Sequence, residues 1–85
     1  MAVWFYYGIA NIEIGNFENA RKSFNTIIDQ NDNLYIEHAE LYLALCDLKA
    51  GQKDKAIKGF RKIASDFENY HQKEAQTIIG KMELN

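Results

Sequence analysis

Residues 4–24 read WFYYGIANIEIGNFENARKSF, and this stretch decides the fold. A large residue, Trp4, is followed three positions on by Tyr7 and then directly by Gly8, a small residue beside which a second helix can press closely. Gly15 breaks the run, and Ala20 with Phe24, four apart, offers one small and one large side chain on the answering helix. The same skeleton returns 36 residues later: Tyr7-Gly8 becomes Leu43-Ala44, Gly15 becomes Gly51, Ala20 becomes Ala56, Phe24 becomes Phe60 and Ile27 becomes Ile63. Tyr6/Tyr42, Lys22/Lys58 and Asn33/Asn69 are identical at the same step. A third passage of Tyr7-Gly8 is Ile79-Gly80, so the end of the chain reads as the first half of another unit. Recurrence at a fixed period of this size is the signature of stacked helical hairpins.

Those residues resemble the tetratricopeptide repeat, whose pattern runs W-x2-L-G-x2-Y, then A-x3-F, then P. The resemblance implies an all-α fold, a right-handed α–α superhelix of antiparallel helix hairpins with five helices. It divides the chain into a first repeat over 1–33, a second over 34–68 and a capping helix over 69–85. The chain departs from the pattern at Asn11 and Asp47, which replace the usual Tyr, and at Asp32 and Glu68, which replace the closing Pro. Lys53 also stands where Phe17 supplies an aromatic ring. The family unit is about 34 residues, so the turn between units is expected to be two residues longer here.

Local signals predict helices over 2–14, 17–29, 34–50, 53–65 and 70–83. Every strong apolar period is i, i+3, i+4, i+7, and no strand alternation competes with it. Gly15 and Gly51 suit the left-handed conformation that closes a helix. Asn16 is the candidate N-cap of the second helix and Asp32 or Asn33 of the third, while Asn69 with Gln72 reads as a capping box for the fifth. In the absence of proline, glycine and asparagine do the punctuating.

Helical geometry assigns three faces to the first helix. Trp4, Gly8 and Asn11 are expected to face Ala20, Phe24 and Ile27, with Ala20 opposite Gly8 and Ala56 opposite Ala44. Phe5, Ile9 and Ile12 form a second stripe, repeated as Leu41, Leu45 and Leu48 on the third helix. In the family this stripe lines a concave groove that holds ligand segments, which makes these six residues the expected partner-binding site, with Glu13, His38 and Lys49 at its margins. Family members that grip the C-terminal carboxylate of heat-shock chaperones carry Lys and Asn where this chain has Phe5 and Ile9, so that clamp is missing. A groove of this composition suits an apolar helix or extended peptide. The competing reading covers the same stripe with other parts of a longer chain.

Val3, Tyr7, Ala10 and Ile14 form the third stripe, which makes the first helix apolar nearly all round. Such helices are buried. The expectation is self-association through this helix as a two-fold dimer, or cover by upstream repeats of a longer parent chain. At the other end Ala75, Ile79 and Met82, supported by Ile78, pack inward, while Gln76, Thr77, Gly80 and Glu83 form a polar, solvated cap.

The remaining chemistry is sparse. Apolar residues at 47% and charged residues at 26% are ordinary for a soluble domain, and a net charge of −2 gives no strong field for nucleic acid. The basic cluster Lys53, Lys55, Lys58, Arg61 and Lys62 reads as a solvated helix face, interleaved with Asp54 and Asp66 and lacking an exposed aromatic for base stacking. His38 and His71 are isolated in sequence, and Glu37-His38-Ala39-Glu40 is no zinc motif. Cys46 takes the place of Ala10 and reads as a small buried side chain with no activating neighbour. No catalytic set, cofactor or metal site is expected. The apolar start lacks the basic region and cleavage site of a signal peptide and is too short to span a membrane. A single cysteine leans towards the cytoplasm.

Overall fold

The computed structural model describes residues 2–31 and 35–84. Within them the chain forms α1 (Ala2–Glu13), α2 (Phe17–Asp29), α3 (Ile36–Lys49), α4 (Lys53–Ala64) and α5 (Gln72–Leu84), with no strand among the described residues. Each helix packs chiefly on its neighbours in sequence, and α1 meets α3 over a smaller area. Principal extents of 34 × 29 × 15 Å leave the layer less than two helix diameters thick, so every helix keeps one face in water.

The two hairpins turn in the same way for the same reason. Gly15 and Gly51 both have φ of +81°, a region that a Cβ disfavours. In the first turn the N–H of Gly15 donates to the carbonyl of Ile12 (3.0 Å) and that of Asn16 to Asn11 (2.8 Å). In the second, Gly51 donates to Leu48 (3.2 Å) and Gln52 to Asp47 (2.8 Å), so both ends are Schellman motifs one repeat apart. Asn31, at φ of 54°, closes α2 by donating to Ile28. Asn16 stands at the N-cap of α2 but makes no side-chain capping bond. The candidate caps Asp32 and Asn33 lie outside the described residues.

Two linked cores follow the repeat. Ala20, Phe24, Ile27, Ala39 and Cys46 fill the first, between α1, α2 and α3. Leu41, Ala44, Ala56, Phe60, Ile63 and Ala75 fill the second, between α3, α4 and α5. Ile78, Ile79 and Met82 lean onto the second core, while Gln76, Thr77, Gly80 and Glu83 face water.

Three local expectations gain detail, and the last of them is corrected. Trp4 is 40% exposed and sets its ring edge-on to Tyr7, while Phe5 lies beside Phe24 at 6.1 Å. Ala20 and Ala56 are fully buried, Gly8 sits against the Phe24 ring, and Ala44, in the same core as Ala56, lies against Gly59. The capping box at Asn69 is replaced by a tighter turn. Asn69 Oδ1 accepts from the N–H of His71, and the Gln72 side chain donates to the Ala64 carbonyl, so α5 starts only at Gln72.

Candidate functional site

The face built from α1, α3 and α5 carries two shallow cavities. Ile9, Ile12, Tyr42 and Leu45 line the first, of about 300 Å³, with Glu13 and Lys49 beside them. Leu48, Ile78 and Met82 line the second, of about 440 Å³, with Lys53 and Lys81. Ile12 and Tyr42 step by one repeat to Leu48 and Ile78, so the cavities are repetitions of one arrangement. Their floors are half-buried hydrocarbon, held in place because each side chain also leans on the core beneath.

Of the expected groove residues, Ile9, Ile12 and Leu45 therefore come together in one cavity and Leu48 joins the next. The other two lie deeper. Leu41 is 3% exposed in the second core, which corrects its place in the groove: α5 covers it. Phe5 is half-buried among the rings of Phe24, Tyr35, His38 and Tyr42, with the Tyr42 ring edge-on at 5.2 Å. It welds α1 to α3 and offers a partner only part of its surface.

The other stripe stands in the open. Val3 is 70% exposed, Tyr7 49% and Ile14 77%, and Ala10 is exposed between them. One repeat on, the same register holds Ala39, Leu43, Cys46 and Ala50, where Ala39 and Cys46 are fully buried in the first core beside α2.

A polar cluster escaped the sequence reading. His38 Nδ1 lies 2.6 Å from His71 Nε2, and His71 Nδ1 lies 2.7 Å from Glu74 Oε1. The Glu74 carboxylate accepts the Nδ1 proton of His71, and in the neutral form of that ring Nε2 accepts from His38. Alongside, the N–H of Tyr70 donates to Glu37 Oε1, and the Tyr70 ring stands edge-on to both imidazoles. His38, expected at the groove margin, thus ties α3 to the start of α5. The signal was present: Glu74 is the residue one repeat after His38, and His71 lies one turn before it. Among the described residues no group of three His, Cys, Asp or Glu side chains is arranged to hold a metal ion.

On the opposite side Arg21 of α2 pairs with Asp47 of α3, which takes the place the family pattern gives to Tyr. Burial pushes the Asp47 carboxyl up from its ordinary value, against the opposing pull of Arg21 and Lys55. Burial, with Asp47 adding to it, also pushes the Cys46 thiol up, so this cysteine is a poor nucleophile. Its Sγ rests against the Phe17 carbonyl inside the core. No helix of the described residues is long and apolar enough to cross a membrane.

A family model described as tetratricopeptide repeat matches residues 2–33 and 38–70. No curated protein and no solved structure matches the chain.

Proposed function

The chain belongs to the tetratricopeptide repeat family, whose repeats serve as protein-interaction modules, and we propose that it binds an apolar helix or peptide along its α1–α3–α5 face. The observation that carries this reading is the pair of repeated apolar cavities, with Ile9, Ile12 and Leu45 in one and Leu48 in the next. A preformed apolar concavity costs little to desolvate and rewards a partner side chain that fills it. The work is recognition, with no catalytic step and no cofactor. The single, buried cysteine fits a reducing interior, so a cytoplasmic setting goes with this function. Selection from a displayed random-peptide library tests it. Selected peptides should lose binding on Ile9→Asp or Leu45→Asp and keep it on Ile14→Asp. Peptides indifferent to Ile9 and Leu45 would overturn the assignment.

A second surface supports self-association. Trp4, Tyr6, Tyr7, Val3 and Ile14 are exposed by 40%, 64%, 49%, 70% and 77%. At 150–250 Å² for a whole aromatic side chain, they amount to about 500 Å² on α1 and the turn that follows it. A two-fold pairing of α1 would then bury about 1,000 Å², the lower bound for a specific interface. Glu13 is the only charged residue of α1, so pairing like faces brings little repulsion. We therefore also propose a homodimer through Val3, Tyr7, Ala10 and Ile14. Sedimentation at micromolar concentration should give a dimer that Tyr7→Glu with Ile14→Glu converts to monomer. A monomer in both proteins would end this reading.

A further inference from the structure

The two cavities on the α1–α3–α5 face share part of their floors but not their charges. One repeat step keeps two floor positions apolar, taking Ile12 to Leu48 and Tyr42 to Ile78. The same step turns Glu13 into Lys49, Phe17 into Lys53 and Leu45 into Lys81. Three registers thus gain positive charge together, in a chain whose net charge is −2. Lys49 lines the first cavity at its edge, and Lys53 and Lys81 line the second.

Four cations elsewhere on the surface are paired in place, whereas among the described residues Lys55, Lys58 and Lys73 have no carboxylate within ion-pair distance. Lys22 lies beside Glu18, Arg61 beside Glu83 and Lys62 beside Glu40, and Arg21 is held by Asp47. Among the described residues no carboxylate pairs with Lys49 or Lys53, both of which are exposed. Glu13 and Lys49 share the first cavity, whereas the charged lining of the second is Lys53 with Lys81, so the lysines gather where the two cavities meet and beyond. A ligand that places hydrocarbon on both floors must bring its flanking side chains past Lys49 and Lys53, where carboxylates are favoured and ammonium groups repelled.

We infer that the partner is an acidic amphipathic segment of another protein, with two apolar anchors about one repeat apart and carboxylates beside the second. This rests on the groove reading above and adds the chemistry of its occupant. Neighbouring helices lie about 8–10 Å apart. Anchors seven residues apart on a partner helix span about 10.5 Å and match that spacing.

Three labelled helical peptides with leucine anchors seven residues apart test the inference by fluorescence anisotropy. They differ only in flanking the second anchor with Glu, Gln or Lys. The Glu peptide should bind at least about tenfold more tightly than the Lys peptide at low salt. High salt should largely erase the difference, since the groups are exposed and the Debye length falls to about 3 Å at 1 M. Lys49→Glu with Lys53→Glu should reverse the order, and both variants lie on the surface, so circular dichroism should be unchanged. Equal binding of all three peptides, lost with Ile9→Asp, would keep the groove and overturn its charge preference. Preferential binding of the Glu peptide that survives the lysine reversals would also overturn it. No binding by any peptide would overturn the groove reading together with this one.

Discussion

Replacing Gly8 by alanine sets two effects of opposite sign against each other. Alanine favours a helix over glycine by about 1 kcal/mol, and Gly8 lies inside α1. Yet a Cβ built on Gly8 would lie 2.7 Å from both Cε1 and Cζ of Phe24, well inside van der Waals contact. The Phe24 ring has little room to retreat, being fully buried, with Phe5 edge-on and Tyr42 stacked, each at 6.1 Å. Overpacking of this kind costs about 1–3 kcal/mol, so the net loss is up to about 2 kcal/mol. The repeat supplies its own control. Gly80 holds the same register two units on, and a Cβ there meets nothing within 4 Å. Gly80→Ala should therefore stabilise by up to about 1 kcal/mol, less any fraying near the end of α5. Urea unfolding reads both variants, and each kcal/mol should move the melting temperature by about 4–8 °C. Gly8→Ala combined with Phe24→Leu should recover part of the clash as a coupling energy of about 1 kcal/mol. A Gly8→Ala variant as stable as Gly80→Ala would show that Phe24 is not seated under α1.

The turn glycines behave differently, because their constraint is torsional. Gly15→Ala and Gly51→Ala meet no atom within 4 Å, yet each should cost about 1 kcal/mol or more, since φ stays near +81°; thermal melts unchanged in both would refute the turns. Arg21→Ala should destabilise by about 2 kcal/mol at neutral pH, reduced from the 3–5 of a wholly buried pair because Arg21 is about one-third exposed. Asp47 already has a raised value, from burial first, and loses a counter-charge in this variant. A raised folded value means that the deficit is present when Asp47 is ionised and closes as pH falls towards 3.8, where folded and unfolded forms are both increasingly protonated. Urea titrations with a gap from wild type that stays constant across that fall would contradict it. His38→Phe keeps a ring beside Phe5 and Tyr70 but leaves His71 Nε2 without its partner, at a cost of about 1–3 kcal/mol in chemical unfolding. Unaltered stability would mean that the imidazole bridge is not formed.

Periodicity and glycine placement made most of the fold legible. The step that pairs Ala20 with Ala56 and Phe24 with Phe60 also predicts both cores, because buried positions must repeat when units stack. Finer placement escaped for physical reasons. Trp4 and Phe5 are adjacent in α1, and helical rotation alone does not decide which ring reaches Phe24. Leu41 and Phe5 share a register, but Leu41 is sealed by α5 whereas Phe5 is only half-covered by α3. The His38–His71 bridge depends on the turn between α4 and α5, where the longer unit departs from the family spacing. Asn69 and Gln72 each had a second acceptor or donor within reach, and those bonds displaced the capping box. The groove was legible as a stripe of hydrocarbon. Its gathering of lysines was not, because Lys53 reaches it from α4 and joins Lys81 only once the hairpins are stacked.

Methyl-resolved NMR of the protein, titrated with the acidic two-anchor peptide, tests the interaction groove most directly. The groove predicts shifts confined to Ile9, Ile12, Leu45, Leu48 and Ile78, with Val3 and Ile14 unmoved. Shifts centred on Val3 and Ile14, with the five groove methyls silent, would contradict it.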